Sequence, residues 1–138
     1  MNIYLETFIF AIILLAIDGI WIKSYMGKKY KKFLGNNQKD TANYPEIIPA
    51  IILAYFVMII AYPILIKRSN DKDEHEDHVL RDRLIRAAVC GLVIYGTYGF
   101  TLAAVFKGYG LGFAFTEVGW GIFLYTIVTL IVYYISGK

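Results

Sequence analysis

The sequence predicts an all-α fold: an integral membrane four-helix bundle with antiparallel neighbouring helices. The chain is 58% hydrophobic and only 18% charged, whereas soluble domains are about 45–50% apolar and about 25% charged. It contains four apolar runs of about 20 residues, the length that crosses the hydrocarbon core of a bilayer. Of its 14 Lys and Arg, six lie within residues 23–39 and six within 67–86. These observations predict one membrane domain spanning residues 1–138.

The four spans are expected at residues 3–22, 45–66, 84–106 and 112–135. The first run is expected to be a retained helix rather than a signal peptide, because no basic residue precedes it and it carries Glu6 and Asp18. Ala87 and Gly91 form a small-xxx-small pair in the third run, which favours close helix packing. The short turn at 107–111 makes the third and fourth helices antiparallel neighbours.

Residues 23–43 form a basic segment that predicts a short interfacial amphipathic helix after the first span. Met26, Tyr30, Phe33 and Leu34 share one helical face, and lysines occupy much of the remainder. The alternative is a solvated basic loop. As an interfacial helix, the segment would contact anionic headgroups through its lysines, which are Lys28, Lys29, Lys31 and Lys32.

Residues 67–83 carry both signs of charge and are expected to be a solvated loop that winds into the third helix. His75 and His78 are three residues apart and therefore share a helical face, where Glu74 or Asp77 could join them on a divalent cation. This is a weak candidate, because no further ligand pattern resembles a known metal motif. We therefore predict neither a metal site nor a cofactor.

The distribution of basic residues leaves the orientation of the bundle nearly balanced. Four crossings place both termini on one side, and each membrane surface carries seven Lys and Arg. The lysine-only cluster directly after the first helix favours a cytoplasmic first loop. Both termini are then expected outside the cytoplasm.

Two acidic residues lie at matching depth in the predicted membrane domain. Asp18 comes four residues before the end of the first run, and Glu117 five residues after the start of the fourth. Each therefore lies roughly 6–8 Å below the same surface, and each has a Trp three residues later. The residues expected to form a pocket at this level are Asp18, Trp21, Tyr55, Tyr95, Thr97, Tyr98, Thr101, Glu117 and Trp120. Gly19, Gly119 and Gly121 beside the acids are expected to let helices approach.

Acidic residues within a membrane span are costly unless they are neutral, paired or hydrated. The pocket therefore predicts a protein that binds or passes a proton, a cation or a small polar molecule. Lys23 or Lys107 could instead reach into the pocket and supply the counter-charge. In the structural alternative, each acid hydrogen-bonds a tyrosine or threonine hydroxyl and fixes the helix register, and the protein is a structural or assembly subunit. A lipid-acting enzyme is the least supported reading, because the sequence has no nucleophile–base pair and no phosphate loop.

The same pattern of charge indicates which partners to expect. The expected partners are a bilayer with anionic headgroups and either further copies of the chain or another membrane protein, since four helices leave little room for an aqueous pore. Nucleic acid is not expected, because the aromatic residues lie in apolar runs and not within a basic groove.

Several motifs of this chain resemble those of a bacterial and viral membrane family called domain of unknown function 2177. The matching motifs are Asp18 and Trp21, the basic aromatic stretch 30–35, Asn43-Tyr44-Pro45, Gly91-Leu92 with Tyr95, Thr97 and Tyr98, and Glu117 with Trp120 and Gly121. The resemblance covers nearly the whole chain except residues 67–83. It implies the four-helix fold and the location of the site, but no activity. Gly99 and Leu102 stand where the family pattern has an Asp and an Asn.

Overall fold

The computed structural model describes residues 2–34, 44–67 and 76–136, and this part of the chain is almost entirely helical. The described residues form five α-helices and two π-helical turns. In order they are α1 (Ile3–Trp21), a first π-helical turn (Ile22–Met26), α2 (Gly27–Leu34), α3 (Tyr44–Ala61), a second π-helical turn (Tyr62–Ile66), α4 (Glu76–Val105) and α5 (Leu111–Ile135).

Four helices are long and apolar enough to cross a membrane, which confirms the predicted fold class. The candidate spans are Ile3–Tyr25, Ile48–Ile66, His78–Val105 and Leu111–Ile135. The helix of the third span is α4, and it begins at Glu76, inside the charged segment and before the expected start of the span at residue 84. Two acidic residues open this helix, and negative charge is favourable next to the positive end of a helix dipole.

The first π-helical turn joins α1 directly to α2, so residues 3–34 form one uninterrupted helical path. The wider turn brings the carbonyl of Ile22 against Gly27, where an added Cβ would lie only 2.6 Å from the Ile22 oxygen. Glycine is therefore the residue that fits here. The amphipathic segment is helical, as expected, up to Leu34, and residues 35–43 lie outside the described part of the chain. The position of this helix in the headgroup plane stays a prediction.

The second π-helical turn has an evident cause in Pro63, which lacks an N–H and would crowd the preceding turn of a regular helix. The chain widens instead, and the Lys67 N–H donates to the Tyr62 carbonyl at 2.9 Å. Arg86 of α4 donates from Nε to the Ile66 carbonyl at 2.8 Å. The Arg86 guanidinium thus binds a carbonyl at the C-terminal end of this helix, where positive charge is favourable.

The closest helix pair is α4 with α5. A Cβ at Gly91 would lie 2.2 Å from the Gly121 carbonyl oxygen, and one at Gly121 would lie 2.3 Å from the Tyr95 ring. Only glycine allows this approach. The expectation was wrong for Gly19 and Gly119, because nothing lies within 4 Å of a Cβ built at either position. Depth alone does not decide which side of a helix a glycine occupies.

The packed centre lies where α1 and the end of α3 meet α4 and α5. Phe10, Leu14, Leu124 and Tyr125 are each fully buried. By contrast, α3 is exposed along most of residues 48–57. The bundle is therefore densely packed around the second π-helical turn and open beside residues 48–57 of α3. The open region holds the candidate site.

Candidate functional site

One face of α1 carries two buried carboxylates separated by two buried apolar side chains. Glu6, Phe10, Leu14 and Asp18 recur every four residues, and none is more than 4% exposed. Residues four apart lie on one helix face. The two acids are twelve positions apart, which corresponds to about 18 Å along the axis. The helix thus supports two separate polar centres, one at Asp18 and one at Glu6.

Asp18 accepts three hydrogen bonds, each from a different helix. Tyr55 of α3 donates to Oδ2 at 2.7 Å. Tyr95 of α4 and Trp120 of α5 donate to Oδ1 at 3.1 and 3.0 Å. All three donors are neutral, so they satisfy the carboxylate oxygens without cancelling a negative charge. One side chain therefore ties α1 to the other three spans.

A pair of stacked indoles lies beside this carboxylate. The rings of Trp21 and Trp120 are nearly parallel, at 6°, with centroids 4.2 Å apart. The Trp21 ring also packs against the Tyr25 ring, with centroids 4.7 Å apart. Its Nε1 is buried and has no hydrogen-bond partner within the described part of the chain.

A pocket of about 540 Å³ lies between α1, α3 and α4, with one residue from α5. Asp18 and Glu117 both line it, and they are only 4% and 3% exposed. Its described lining contains no Lys, Arg or His. The lining residues are Asp18, Trp21, Ile22, Ile51, Ala54, Tyr55, Val57, Met58, Ile94, Tyr95, Tyr98 and Glu117.

The structure brings together most of the nine residues expected at this site. Six of them line the pocket: Asp18, Trp21, Tyr55, Tyr95, Tyr98 and Glu117. Trp120 is not a lining residue but binds Asp18. Thr97 and Thr101 are exposed and lie outside the pocket. They follow the buried Tyr95 by two and six residues, which places them about 200° and 240° around the helix from it.

None of the described lysines singled out in the sequence lines this pocket. Lys28 and Lys32 are exposed on α2. Lys29 donates to the Tyr25 hydroxyl and lies over the Tyr25 and Phe113 rings, at 4.2 and 5.4 Å from their centroids. The ammonium of Lys29 therefore packs on aromatic side chains. The side chain of Lys31 falls outside the described residues.

The candidate metal ligands stay a prediction. His78 is exposed near the start of α4, and His75 falls outside the described residues. No group of three His, Cys, Asp or Glu that could hold a metal ion occurs in the described ranges.

The second polar centre, around Glu6, was not predicted. Its Oε2 accepts hydrogen bonds from the Tyr62 hydroxyl at 3.1 Å and from Lys67 Nζ at 2.5 Å. Lys67 is partly buried, so this is a largely dehydrated ion pair. Phe10 stacks on Tyr62 with centroids 4.6 Å apart. A signal did exist in the spacing, because Tyr55 and Tyr62 lie seven residues apart on one face of an antiparallel helix.

The comparisons with known proteins agree with this architecture. The model of a family described as a predicted membrane protein (DUF2177) matches residues 3–134. The chain belongs to this family. Membership of DUF2177 agrees with the four membrane-length helices and confirms the resemblance seen in the motifs. No curated protein and no solved structure matches the chain.

Gly99 of α4 lies next to Ala114 of α5. A Cβ at this position would lie 3.4 Å from the Ala114 Cα and carbonyl oxygen, which is ordinary van der Waals contact. The acidic groups that this DUF2177 member places at its pocket come from α1 and α5.

Proposed function

We propose that the protein binds a cation inside the membrane, in the pocket lined by Asp18 and Glu117. One observation carries this proposal: two buried carboxylates from different helices line a single cavity whose described lining has no basic side chain. A buried carboxylate is costly unless hydrogen bonds, a proton, a cation or water compensate it. In the proposed site, a cation in the pocket adds to the contacts that the protein itself supplies to the two acids, and a proton is the smallest such cation.

The arrangement around Asp18 supports a role for this carboxylate in binding a cation. Its oxygens accept hydrogen bonds from two hydroxyls and one indole N–H, and all three donors are neutral. They hold the side chain in place, and none of them is a cation that would compete with a ligand in the pocket.

A second candidate is a purely structural role, and the same three hydrogen bonds favour it. A side chain that joins α1 to α3, α4 and α5 fixes the relative positions of the helices. None of these three hydrogen bonds involves Glu117, so a substitution of Glu117 distinguishes the two candidates. A structural tie depends on Asp18, whereas cation binding depends on both acids.

The test uses purified protein in lipid nanodiscs and the fluorescence of its two tryptophans, both adjacent to Asp18. The fluorescence is titrated with protons, Na⁺, K⁺ and benzyltrimethylammonium. We expect a saturable response to at least one of these cations, weakened at least about tenfold by Glu117→Gln because a buried charge partner is lost. The matched control is Asp82→Asn, which neutralises a partly exposed acid near the start of α4.

If no cation gives a response that depends on Glu117, and Asp18→Asn only lowers the unfolding temperature, the structural role is correct. A response equal in the wild type and Glu117→Gln would place binding outside this pocket.

We propose further that α2 faces the cytoplasm and binds anionic headgroups, with both termini on the opposite side. Lys28 and Lys32 are exposed and four residues apart, so they share one face of α2. The single native cysteine, Cys90, is buried. Replacing it by Ala and adding Lys28→Cys or Ser136→Cys gives two probes. An impermeant thiol reagent outside the cell should label only position 136; labelling of position 28 alone would reverse the orientation.

We also propose that the bundle associates with further copies or with another membrane protein. This rests on the small number of helices, which leaves little room for an aqueous path within one copy. Chemical crosslinking in native membranes should give a discrete larger species. A protein that stays monomeric in membranes and without crosslinked partners would contradict this proposal.

A further inference from the structure

The chemistry of the pocket wall is mostly apolar. Ile51, Val57 and Met58 of α3 and Ile94 of α4 line it together with tyrosine and tryptophan rings. An inorganic ion such as Ca²⁺ needs about six to eight oxygen ligands, and the described residues contain no group of three metal-ligating side chains. Carboxylates beside aromatic rings and aliphatic side chains instead suit a cation that has an apolar body.

The size of the pocket agrees with an organic ligand. Its volume of about 540 Å³ lies within the range of roughly 300–1,000 Å³ that is usual for small-molecule sites. A bare alkali-metal ion would fill only a small part of it. The two acids would compensate the charge of the ligand, and the aliphatic wall would contact the rest.

The pocket opens at the side of the bundle. Ile51, Val57 and Tyr98 line it and are also 48%, 58% and 49% exposed, so they belong to the outer surface of α3 and α4. Ile51 and Val57 belong to the candidate span Ile48–Ile66, and Tyr98 belongs to the candidate span His78–Val105.

We propose that the pocket binds an organic ammonium ion with an apolar body, which reaches it from the bilayer through the opening between α3 and α4. This inference rests on the proposed cation-binding function and specifies its ligand class. The ammonium group lies against Asp18 and Glu117, and the apolar body lies against Ile51 and Val57.

The experiment compares benzyltrimethylammonium with its neutral carbon isostere, neopentylbenzene. Both are titrated into nanodiscs that contain the full chain, and the fluorescence of Trp21 and Trp120 is recorded. We expect saturable binding of the ammonium compound only, weakened at least about tenfold in Glu117→Gln. NaCl and KCl at equal ionic strength should leave the signal unchanged. The Asp82→Asn control should bind as the wild type does.

A second variant tests the opening itself. Ala54 lines the pocket and is exposed on α3, so Ala54→Phe adds bulk at the mouth without entering the packed centre. We expect ammonium binding to weaken at least about tenfold while helical content and unfolding temperature stay unchanged. Undiminished binding by this folded variant would overturn the proposed route between α3 and α4.

The remaining outcomes separate this inference from the function on which it rests. If Na⁺, K⁺ or protons give a response that requires Glu117 and benzyltrimethylammonium gives none, the organic ligand is overturned while cation binding stands. Equal binding of the neutral isostere would overturn recognition of the charge. If no cation binds at all, both proposals fail.

Discussion

Trp120 contacts both members of the Asp-x-x-Trp motif on α1. Its Nε1 donates to Asp18 Oδ1 at 3.0 Å, and its ring stacks on Trp21 with centroids 4.2 Å apart. The two α1 residues are three apart and therefore lie on one helix face. A single side chain of α5 thus recognises this face by a polar and an aromatic contact at once.

The indole hydrogen bond can be tested by comparing the two tryptophans. Trp120→Phe removes the N–H that binds a carboxylate, so we expect a loss of about 1.5–3 kcal/mol in the free energy of unfolding. Trp21→Phe keeps an aromatic ring and removes an N–H that has no partner in the described residues, so it should cost less. Reversible unfolding in detergent micelles, followed by circular dichroism, measures both. A larger loss for Trp21→Phe would contradict the assignment.

Substitutions of Asp18 should separate its charge from its hydrogen bonds. Asp18→Asn keeps an oxygen that can accept from Tyr95 and Trp120, and its amide can donate to the Tyr55 hydroxyl. Asp18→Ala leaves three donors unsatisfied, which costs about 1–3 kcal/mol for each buried group. We therefore expect Asn to be much closer to the wild type in unfolding free energy than Ala. Equal losses would show that charge, and not hydrogen bonding, stabilises this centre.

The Glu6–Lys67 pair predicts strong coupling in a double-mutant cycle. Removing one member of a buried ion pair leaves an uncompensated charge, so Glu6→Gln and Lys67→Met should each cost about 3 kcal/mol or more. The double variant should lose clearly less than the sum of the two. Thermal or denaturant unfolding of the four proteins measures the coupling. Additive losses would mean that the two side chains do not interact in the membrane-embedded protein.

Glycine substitutions on α5 should have opposite effects two residues apart. A Cβ at Gly121 would overlap the Tyr95 ring, whereas one at Gly119 meets open space. We expect Gly121→Ala to destabilise the bundle by about 1–3 kcal/mol or more. Gly119→Ala should stabilise the helix by about 0.5–1 kcal/mol. Unfolding temperatures in micelles provide the comparison, and two changes of the same sign would place the α4–α5 contact elsewhere.

The sequence predicts the helices better than it predicts their rotation. Length and hydropathy are sufficient to find four spans, and chain direction brings Asp18 and Glu117 to one depth. Depth does not specify the direction in which a side chain points around the helix axis. Thr97 and Thr101 have the expected depth but lie on the outer face of α4. The same limit explains Gly19 and Gly119, which face open space, although they neighbour the acids in the sequence.

The Glu6 centre escaped prediction for a different reason. Its partner, Lys67, lies at the boundary between a span and a charged segment, where a lysine is normally expected to face water. Pro63 and the second π-helical turn place that lysine over the end of α1. Such local changes of helical pitch have weak sequence signals, so contacts that depend on them emerge only from the structure.

The pairing of Glu6 with Tyr62 and of Asp18 with Tyr55 has a mechanical consequence for α1. These contacts hold it against α3 and against the second π-helical turn, at two points about 18 Å apart. A piston-like shift of α1 along its axis would break both contacts together. The pocket therefore widens most easily when the exposed part of α3, residues 48–57, moves sideways away from α1 while the contact between Glu6 and Tyr62 stays in place.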